Sequence, residues 1–337
     1  MMQQSDFTDL VDLAAERLGG SVLIANDEFF APKEALLKAS PPEWREGVFT
    51  ERGKWMDGWE TRRRRAPGHD WCILRLGIPG VVNGFVVDTS FFRGNFPESC
   101  AADGAEIEGP SLPDPDTFAD DDAVEWTSLL PRSPLAGDAR NAFAVTAARR
   151  VTHIRFSIFP DGGVARLRVF GEARPGPGVL RAGRELDLAS IENGGYVVLC
   201  SDMFFGHRQN LIMPGRSTHM GDGWETKRRR GPGHDWTIVR LGARGALQRI
   251  DLDTDHFKGN APGSCMLEWC DSPLARPEEL AASVAWRELV PNSALQPHTR
   301  HSWTVKSDGA ATHLRLNIYP DGGVARLRAF GMLRDSA

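Results

Sequence analysis

The sequence lacks the features that mark several large protein classes. None of its apolar runs reaches the roughly 18 residues needed to span a bilayer. The start, Met-Met-Gln-Gln-Ser-Asp, is acidic rather than a basic region leading into an apolar stretch, so no signal peptide is expected. The closing Arg-Asp-Ser-Ala carries no sorting address. A cytoplasmic protein without membrane attachment follows as the default. Cysteine is sparse and odd in number (Cys72, Cys100, Cys200, Cys265 and Cys270), and no two form a CxxC pair. In a chain this long they are expected to be reduced thiols, not a disulfide framework. Positive charge is not in excess either. Forty Lys and Arg stand against 45 Asp and Glu, a net charge of -5, which leaves no overall basic footprint for nucleic acid. GxSxG, a Walker A loop and GxGxxG in a βαβ setting are all missing, as are HxH and HExxH. Nucleophilic-serine, nucleotide, dinucleotide and zincin readings therefore gain no support.

An internal repeat is present. Hydrophobic residues make up 41% and charged residues 25% of the 337, an ordinary globular balance, and the length suggests two domains at roughly 100–200 residues each. Gly58-Trp59-Glu60-Thr61 recurs as Gly223-Trp224-Glu225-Thr226, an offset of 165 residues. Gly68-His69-Asp70-Trp71 recurs at the same offset as Gly233-His234-Asp235-Trp236. Asp88-Thr89 and Gly94-Asn95 recur as Asp253-Thr254 and Gly259-Asn260. Residues 152–171 match 312–331 at an offset of 160, with fifteen of twenty positions identical. A unit of about 150 residues exceeds the 20–50 of a solenoid repeat, so this is a duplicated domain. The expected layout is an N-terminal helical segment over 1–19, a first repeat over 20–173, a Pro/Gly linker over 174–187 and a second repeat over 188–337. Cys100 and Cys265 fall at matching positions, where small buried packing residues are favoured over metal ligands.

Periodicity predicts a helix over 5–19, with Phe7, Leu10, Val11, Ala14 and Leu18 on one face and Ser5 as its cap. A short helix is expected from Pro32 through Lys38. Everything else reads as strands. Residues 71–76 form a nearly continuous apolar run, and 81–89 a second strand. Residues 152–158 and 164–170 flank Pro160-Asp161-Gly162-Gly163 like a hairpin whose polar face carries His153, Arg155, Arg166 and Arg168. The same pattern returns with His313, Arg315, Arg326 and Arg328. Short strands, Gly/Pro turns and few helices predict a mainly β chain of two tandem jelly-roll-like β-sandwich domains.

The residues able to carry chemistry sit in the repeated blocks. Glu60 and Glu225 are the carboxylates nearest the arginine run. Each is either a base toward water or is held in an ion pair with Arg63 or Arg228, which would lower its pKa. Those arginines offer forks matching a carboxylate or a ureido oxygen, or else form a solvated loop. His69 and His234 titrate near neutrality and suit acid–base work. Asp70 and Asp235 either orient them or, pointing to the opposite strand face, serve a turn. Asp88 and Asp253 end a strand, a position for a site or a turn. Asp253, Asp255 and His256 occur together only in the second copy. They are a weak divalent-metal candidate, so the expectation is no cofactor, with a metal left open.

These motifs resemble those of the allantoicase family, whose pattern is Gly-Trp-Glu-Thr-basic-Arg, then His-Asp-Trp before an Arg-Leu-Gly strand, then Asp-Thr-x-x-Phe-x-Gly-Asn. Here they are Gly58 to Arg63, His69 to Trp71, Arg75-Leu76-Gly77, and Asp88 through Phe92 to Asn95. The second copy has Gly223 to Arg228, His234 to Trp236, Arg240-Leu241-Gly242, and Asp253 through Phe257 to Asn260. The Phe29-Phe30 and Phe204-Phe205 segments and the Pro-Asp-Gly-Gly turns agree, and the likeness covers nearly the whole chain. The resemblance implies a duplicated jelly-roll enzyme, assembled as a homo-oligomer, that hydrolyses allantoate to ureidoglycolate and urea. Such a reaction needs a carboxylate clamp, for which Arg63, Arg75, Arg228 and Arg240 are candidates, with Asn95 and Asn260 beside them as substrate-binding residues. It also needs an acid for the departing ureido nitrogen, a role for His69 or His234, and a base for water, a role for Glu60 or Glu225. A tandem ligand-binding module without catalysis, or an enzyme acting on another ureide such as ureidoglycolate, is the alternative.

Overall fold

The long apolar run after His69 becomes the axis of the fold. The structure is a computed structural model that describes residues 7–107, 124–146, 149–176, 178–181 and 183–334. It divides into two compact units, Met1–Arg174 and Pro175–Ala337. The first unit contains β1 (Val11–Asp12), β2 (Ser21–Ala25), β3 (Phe49–Thr50), β4 (Gly53–Lys54), β5 (Trp59–Glu60), β6 (Asp70–Asp88) and β7 (Ser99–Ala105). It continues with β8 (Thr127–Pro134), β9 (Arg140–Ala144), β10 (Arg150–Phe159), β11 (Gly163–Val164) and β12 (Arg166–Ala173). The second unit repeats the plan, without the β3–β4 ribbon, as β13 (Leu186–Asp187), β14 (Tyr196–Cys200), β15 (Trp224–Glu225), β16 (Asp235–Asp253) and β17 (Ser264–Cys270). The one α-helix among the described residues, α1 (Pro277–Ala282), follows β17. Then come β18 (Arg287–Ala294), β19 (Arg300–Thr304), β20 (Ala311–Tyr319), β21 (Gly323–Val324) and β22 (Arg326–Leu333). No helix among the described residues is long and apolar enough to cross a membrane.

Strand β6 serves two layers of a sandwich. Its first half, through Arg75, has β2 on one side and β10 on the other, and β7 and β8 extend that layer. Its second half, from Gly80, lies between β9 and β12, with β1 beyond. Between the halves the register against β10 jumps from Arg75 to Gly80 while β10 advances only from His153 to Val151, so residues 76–79 bulge out at the corner. Strand β16 does the same in the second unit, with its jump between Arg240 and Gly245. Both halves of β6 face the core, which is why Cys72, Ile73, Leu74, Val82, Phe85 and Val87 are all fully buried. The run is nearly continuous because both its faces are covered.

Four local expectations are corrected. Residues 5–19 do not form an α-helix. Within the described part, 3-10 turns at Phe7–Asp9 and Glu16–Leu18 flank β1, and the candidate cap Ser5 lies outside the described residues. Strand pairing of Val11 and Asp12 with β12 overrides the helical spacing. The two arms around Pro160-Gly163 are not a paired hairpin. Strands β10 and β12 each pair with a different half of β6, so the turn crosses between layers. The polar residues of those arms are also not a solvated face. His153, His313, Arg166 and Arg326 are buried, at 2–4% exposure. The short helix after Pro32 is a 3-10 turn at Lys33–Leu37.

The buried histidines tie stability to pH. Burial, with Arg75 and Arg240 beside them, pushes His153 and His313 each down to about 4. Their folded-state pKa lies below the unfolded value of 6.5, so they are buried neutral, and that stability is lost as pH falls from 6.5 through 4. A shift of this size corresponds to at most about 3 kcal/mol per histidine. Urea-unfolding midpoints should fall steeply between pH 7 and 4, and His153→Gln with His313→Gln should flatten that slope. An unchanged slope in the double variant would show that other groups control acid unfolding.

Candidate active site

The Trp-Glu-Thr block is a two-residue strand whose alternation decides what each side chain does. Trp59 points inward, is fully buried, and donates its indole N–H to the Asp27 carbonyl at 2.8 Å. Thr61 also points inward, and its hydroxyl accepts the Gly162 N–H at 3.1 Å. Glu60 lies between them and faces the opposite way. Its backbone pairs with Gly163 on one side and Ala31 on the other. The arginines that follow are mostly engaged in structure. Arg62 pairs with Asp27 at 2.6 Å and Arg64 with the buried Asp70 at 2.5 Å, while Arg63 is exposed.

The Asp-Thr-x-x-Phe-x-Gly-Asn block meets Glu60 from across the same turn. Asp88 accepts the Ser90 N–H at 2.9 Å and Thr89 donates to the Ala136 carbonyl at 2.6 Å, which fixes the chain after β6. Phe92 is then fully buried and packs on Gly163, where an added Cβ would sit 1.9 Å from its ring. Gly162 has a φ of 136°, and an added Cβ there would fall 2.7 Å from the Asn95 carbonyl. The two glycines of the Pro-Asp-Gly-Gly motif therefore admit the Asn95 loop. Asn95 accepts the Gly163 N–H at 2.8 Å and donates its side-chain amide to the Glu60 carboxyl at 2.7 Å.

This pair lines a cavity of about 540 Å³, within the roughly 300–1,000 Å³ range of small-molecule pockets. Phe30, Trp44, Phe91 and Met56 supply apolar walls, and Lys54 and Arg93 supply two cations. Trp44 and Phe91 have ring centroids 5.8 Å apart, and the Lys54 ammonium lies 4.1 Å above the Trp44 ring. Burial raises the Glu60 pKa above the ordinary carboxylate value, and the bond from Asn95 opposes this only in part. The alternative of a Glu60–Arg63 ion pair with a lowered pKa is not what forms.

The second unit keeps the pair and changes its surroundings. Asn260 donates to Glu225 at 2.6 Å, and Trp224 donates to the Asp202 carbonyl at 2.8 Å. The connection before Asp222 is shorter, because the offset between copies is 175 at Phe30/Phe205 and 165 at Gly58/Gly223. The first copy is therefore ten residues longer within 39–56, the stretch that carries Trp44, Lys54 and Met56. In the second copy Met220 Sδ lies 3.3 Å from the Asn260 amide nitrogen. Arg216 pairs with Asp255 at 2.7 Å, and His256 Nε2 lies 3.0 Å from the Ser217 carbonyl.

The remaining sequence candidates lie elsewhere. His69 stacks on Phe159 at 4.6 Å, and His234 stacks on Tyr319 at 4.7 Å with Nε2 3.1 Å from Asn317 Oδ1. Neither Asp70 nor Asp235 orients its neighbouring histidine, since each is buried against an arginine, Arg64 or Arg229. Asp253, like Asp88, accepts a backbone N–H two residues on. Asp255 is engaged by Arg216 and by His298 at 2.8 Å, so Asp253, Asp255 and His256 do not converge. Arg228 is exposed like Arg63. Arg75 lies opposite His153 in mid-sheet, and Arg240 lies opposite His313 and over Tyr196. Trp44, Lys54, Met56, Phe91 and Arg93 were not among the sequence candidates. The fall in offset from 175 to 165 was the signal that the first copy holds something extra.

Comparison with known proteins is consistent across the chain. The family model described as "Allantoicase repeat" matches residues 11–174 and again 186–334. A protein of Pseudomonas aeruginosa named "Probable allantoicase" is 46% identical over 333 residues, covering 98% of each chain. The "Allantoicase" of Dictyostelium discoideum is 44% identical over 332 residues, covering 98% of this chain and 89% of its own. A crystal structure of allantoicase from Saccharomyces cerevisiae superposes with a TM-score of 0.77 at 33% identity, covering 95% of this chain and 92% of the other.

The raised Glu60 pKa has a measurable cost. A carboxyl whose folded pKa exceeds its unfolded value of 4.5 binds its proton more tightly in the native state. Folded stability therefore declines as pH rises from the unfolded pKa through the folded one. Glu60→Gln should gain stability relative to the parent between pH 4 and pH 8, measured by urea unfolding at both. A difference that does not change with pH would mean that burial of the carboxylate is not its source.

Proposed function

The chain belongs to the allantoicase family and on that footing hydrolyses allantoate, and we propose that the chemistry runs in the first repeat, with Glu60 as its proton-transfer group. The observation that carries this is a half-buried carboxyl of raised pKa, aimed by Asn95 into a cavity that also holds two cations.

Allantoate has one carboxylate and two ureido groups on a single carbon. Lys54 and Arg93 suit its carboxylate, a role the sequence had offered to Arg63, Arg75, Arg228 and Arg240. The protonated Glu60 gives its proton to one ureido nitrogen as the bond from that nitrogen to the central carbon breaks, releasing urea. The lone pair of the other ureido nitrogen forms a double bond to the carbon. Water then adds to that carbon while the Glu60 carboxylate takes the water's proton, giving ureidoglycolate and restoring the acid. One carboxyl thus acts first as acid and then as base, and burial, which raises its pKa above the ordinary carboxylate value, favours the acid form from which the cycle starts. His69 and His234 lie outside the pocket lining and have no part in this scheme. Trp44, Phe30 and Phe91 limit bulk water around the intermediate. The same reading expects a cytoplasmic homo-oligomer with allantoate as its small-molecule partner.

Loss of a positioned acid–base group typically costs about 100- to 10,000-fold. Urea release from allantoate should fall by that factor in Glu60→Gln, and Glu225→Gln should keep most of the parental rate. Ureidoglycolate should yield no urea at a comparable rate. Parental activity in Glu60→Gln would remove the assignment, and loss confined to Glu225→Gln would move the chemistry to the second repeat.

A further inference from the structure

The longer stretch of the first copy needs something to hold it, and one buried side chain binds both of its ends. Arg166 is 2% exposed, and all five of its guanidinium N–H groups are used. Nε donates to the Ser40 carbonyl at 3.0 Å, and Nη2 donates to the Pro41 carbonyl at 3.2 Å and to Asp57 Oδ2 at 2.5 Å. Nη1 donates to the carbonyls of Asp57 at 3.1 Å and Ala165 at 2.7 Å. Asp57 continues the clasp. Its carboxylate accepts Lys38 Nζ at 2.9 Å and the Glu43 N–H at 3.0 Å. Residues 38–43 are therefore bound to residue 57, and the loop between them places Trp44, Lys54 and Met56 in the pocket wall. Three residues after Asp57 comes Glu60.

The second copy provides an internal control. Arg326 forms the matching pair with Asp222 at 2.9 Å and also donates to the carbonyls of Asp222 and Ala325. Its Nε meets no acceptor among the described residues, and no loop carbonyl takes the place of Ser40 or Pro41. The same buried pair is thus present in both copies. In the second, Arg328 and not Arg326 takes the loop carbonyls of Met213 and Gly215, so only in the first does the guanidinium paired with the loop's closing carboxylate also hold the loop's start.

We propose that Arg166, acting with Asp57, is a positioning residue for the reaction, because it holds the 39–56 wall against Glu60. This rests on the first-repeat assignment made above. Lysine keeps the charge at this position but not the planar fork, so Arg166→Lys cannot reach Ser40, Pro41 and Asp57 together.

The test compares Arg166→Lys with Arg326→Lys in the full chain, with Asp57→Asn as a second route should Arg166→Lys fold poorly. Two readouts are taken, steady-state kinetics on allantoate and amide hydrogen exchange of peptides covering 43–57. Arg166→Lys and Asp57→Asn should raise KM or lower kcat/KM at least tenfold and speed exchange in that segment. Arg326→Lys should leave both parental, even if its Tm falls by as much as that of Arg166→Lys. Equal kinetic losses in the two lysine variants would reduce Arg166 to a structural pair and overturn the proposal. Parental exchange of 43–57 in Arg166→Lys would overturn it as well. The exchange readout does not depend on where catalysis occurs. Accelerated exchange alongside an active Glu60→Gln would therefore fault the Glu60 assignment and not the clasp.

Discussion

The constraint on which the fold depends is a single strand shared by both layers of the sandwich. Because β6 turns the corner at residues 76–79, its two ends, Asp70 and Asp88, come back toward the same crossing turn. Asp70 pairs with Ile158 just before that turn, and Asp88 pairs with Arg166 just after it. The blocks before β6 and after it are over twenty residues apart in sequence, yet they meet at Pro160-Asp161-Gly162-Gly163. Glu60 arrives by pairing with Gly163, and Asn95 arrives by accepting the Gly163 N–H. Without the shared strand the carboxyl and its amide partner would have no common support.

Most of the repeated motif is scaffold for one side chain. Trp59 fills the core, Thr61 locks the crossing turn, Arg62 and Arg64 neutralise Asp27 and Asp70, and Phe92 packs where only glycine fits. Glu60 is the one residue of its block that lines the cavity, where Asn95 from the block after β6 meets it. An acid held in a half-buried setting beside apolar walls carries a raised pKa, and the structure tolerates the resulting loss of stability because surrounding hydrogen bonds fix the strand.

Legibility in the sequence followed periodicity and duplication. Identical residues at constant offset gave the two domains, and the buried run 71–76 gave the central strand, because covering both faces leaves a direct compositional trace. Helical spacing over 7–18 misled, since the apolar residues there are placed by pairing of β1 with β12 and not by a helix face. The alternation of Arg166 and Arg168 with Leu167 and Val169 suggested a wet face. Burial of a guanidinium depends on carbonyls and a carboxylate contributed from residues more than a hundred positions away, which no local pattern displays. The pocket wall stayed hidden for a related reason. Trp44 and Lys54 have no counterparts in the second copy, so a comparison that rewards recurrence passed over them.

The divergence between the copies follows a physical logic. Where the first copy has Phe91 stacked near Trp44, the second has His256 turned to the Ser217 carbonyl. Where the first has Ser90, the second has Asp255, neutralised by Arg216 from the shortened loop. Polar ties in the second copy thus do the work that an apolar wall does in the first. A charge-assisted bond closes a short loop tightly, whereas aromatic walls leave a cavity with a carboxyl at its floor. The Glu–Asn pair is present in both units, in each case beside the same crossing turn. In the unit with the longer connection, Lys54, Arg93, Trp44, Phe30 and Phe91 surround that pair, the setting proposed above for a small anionic substrate.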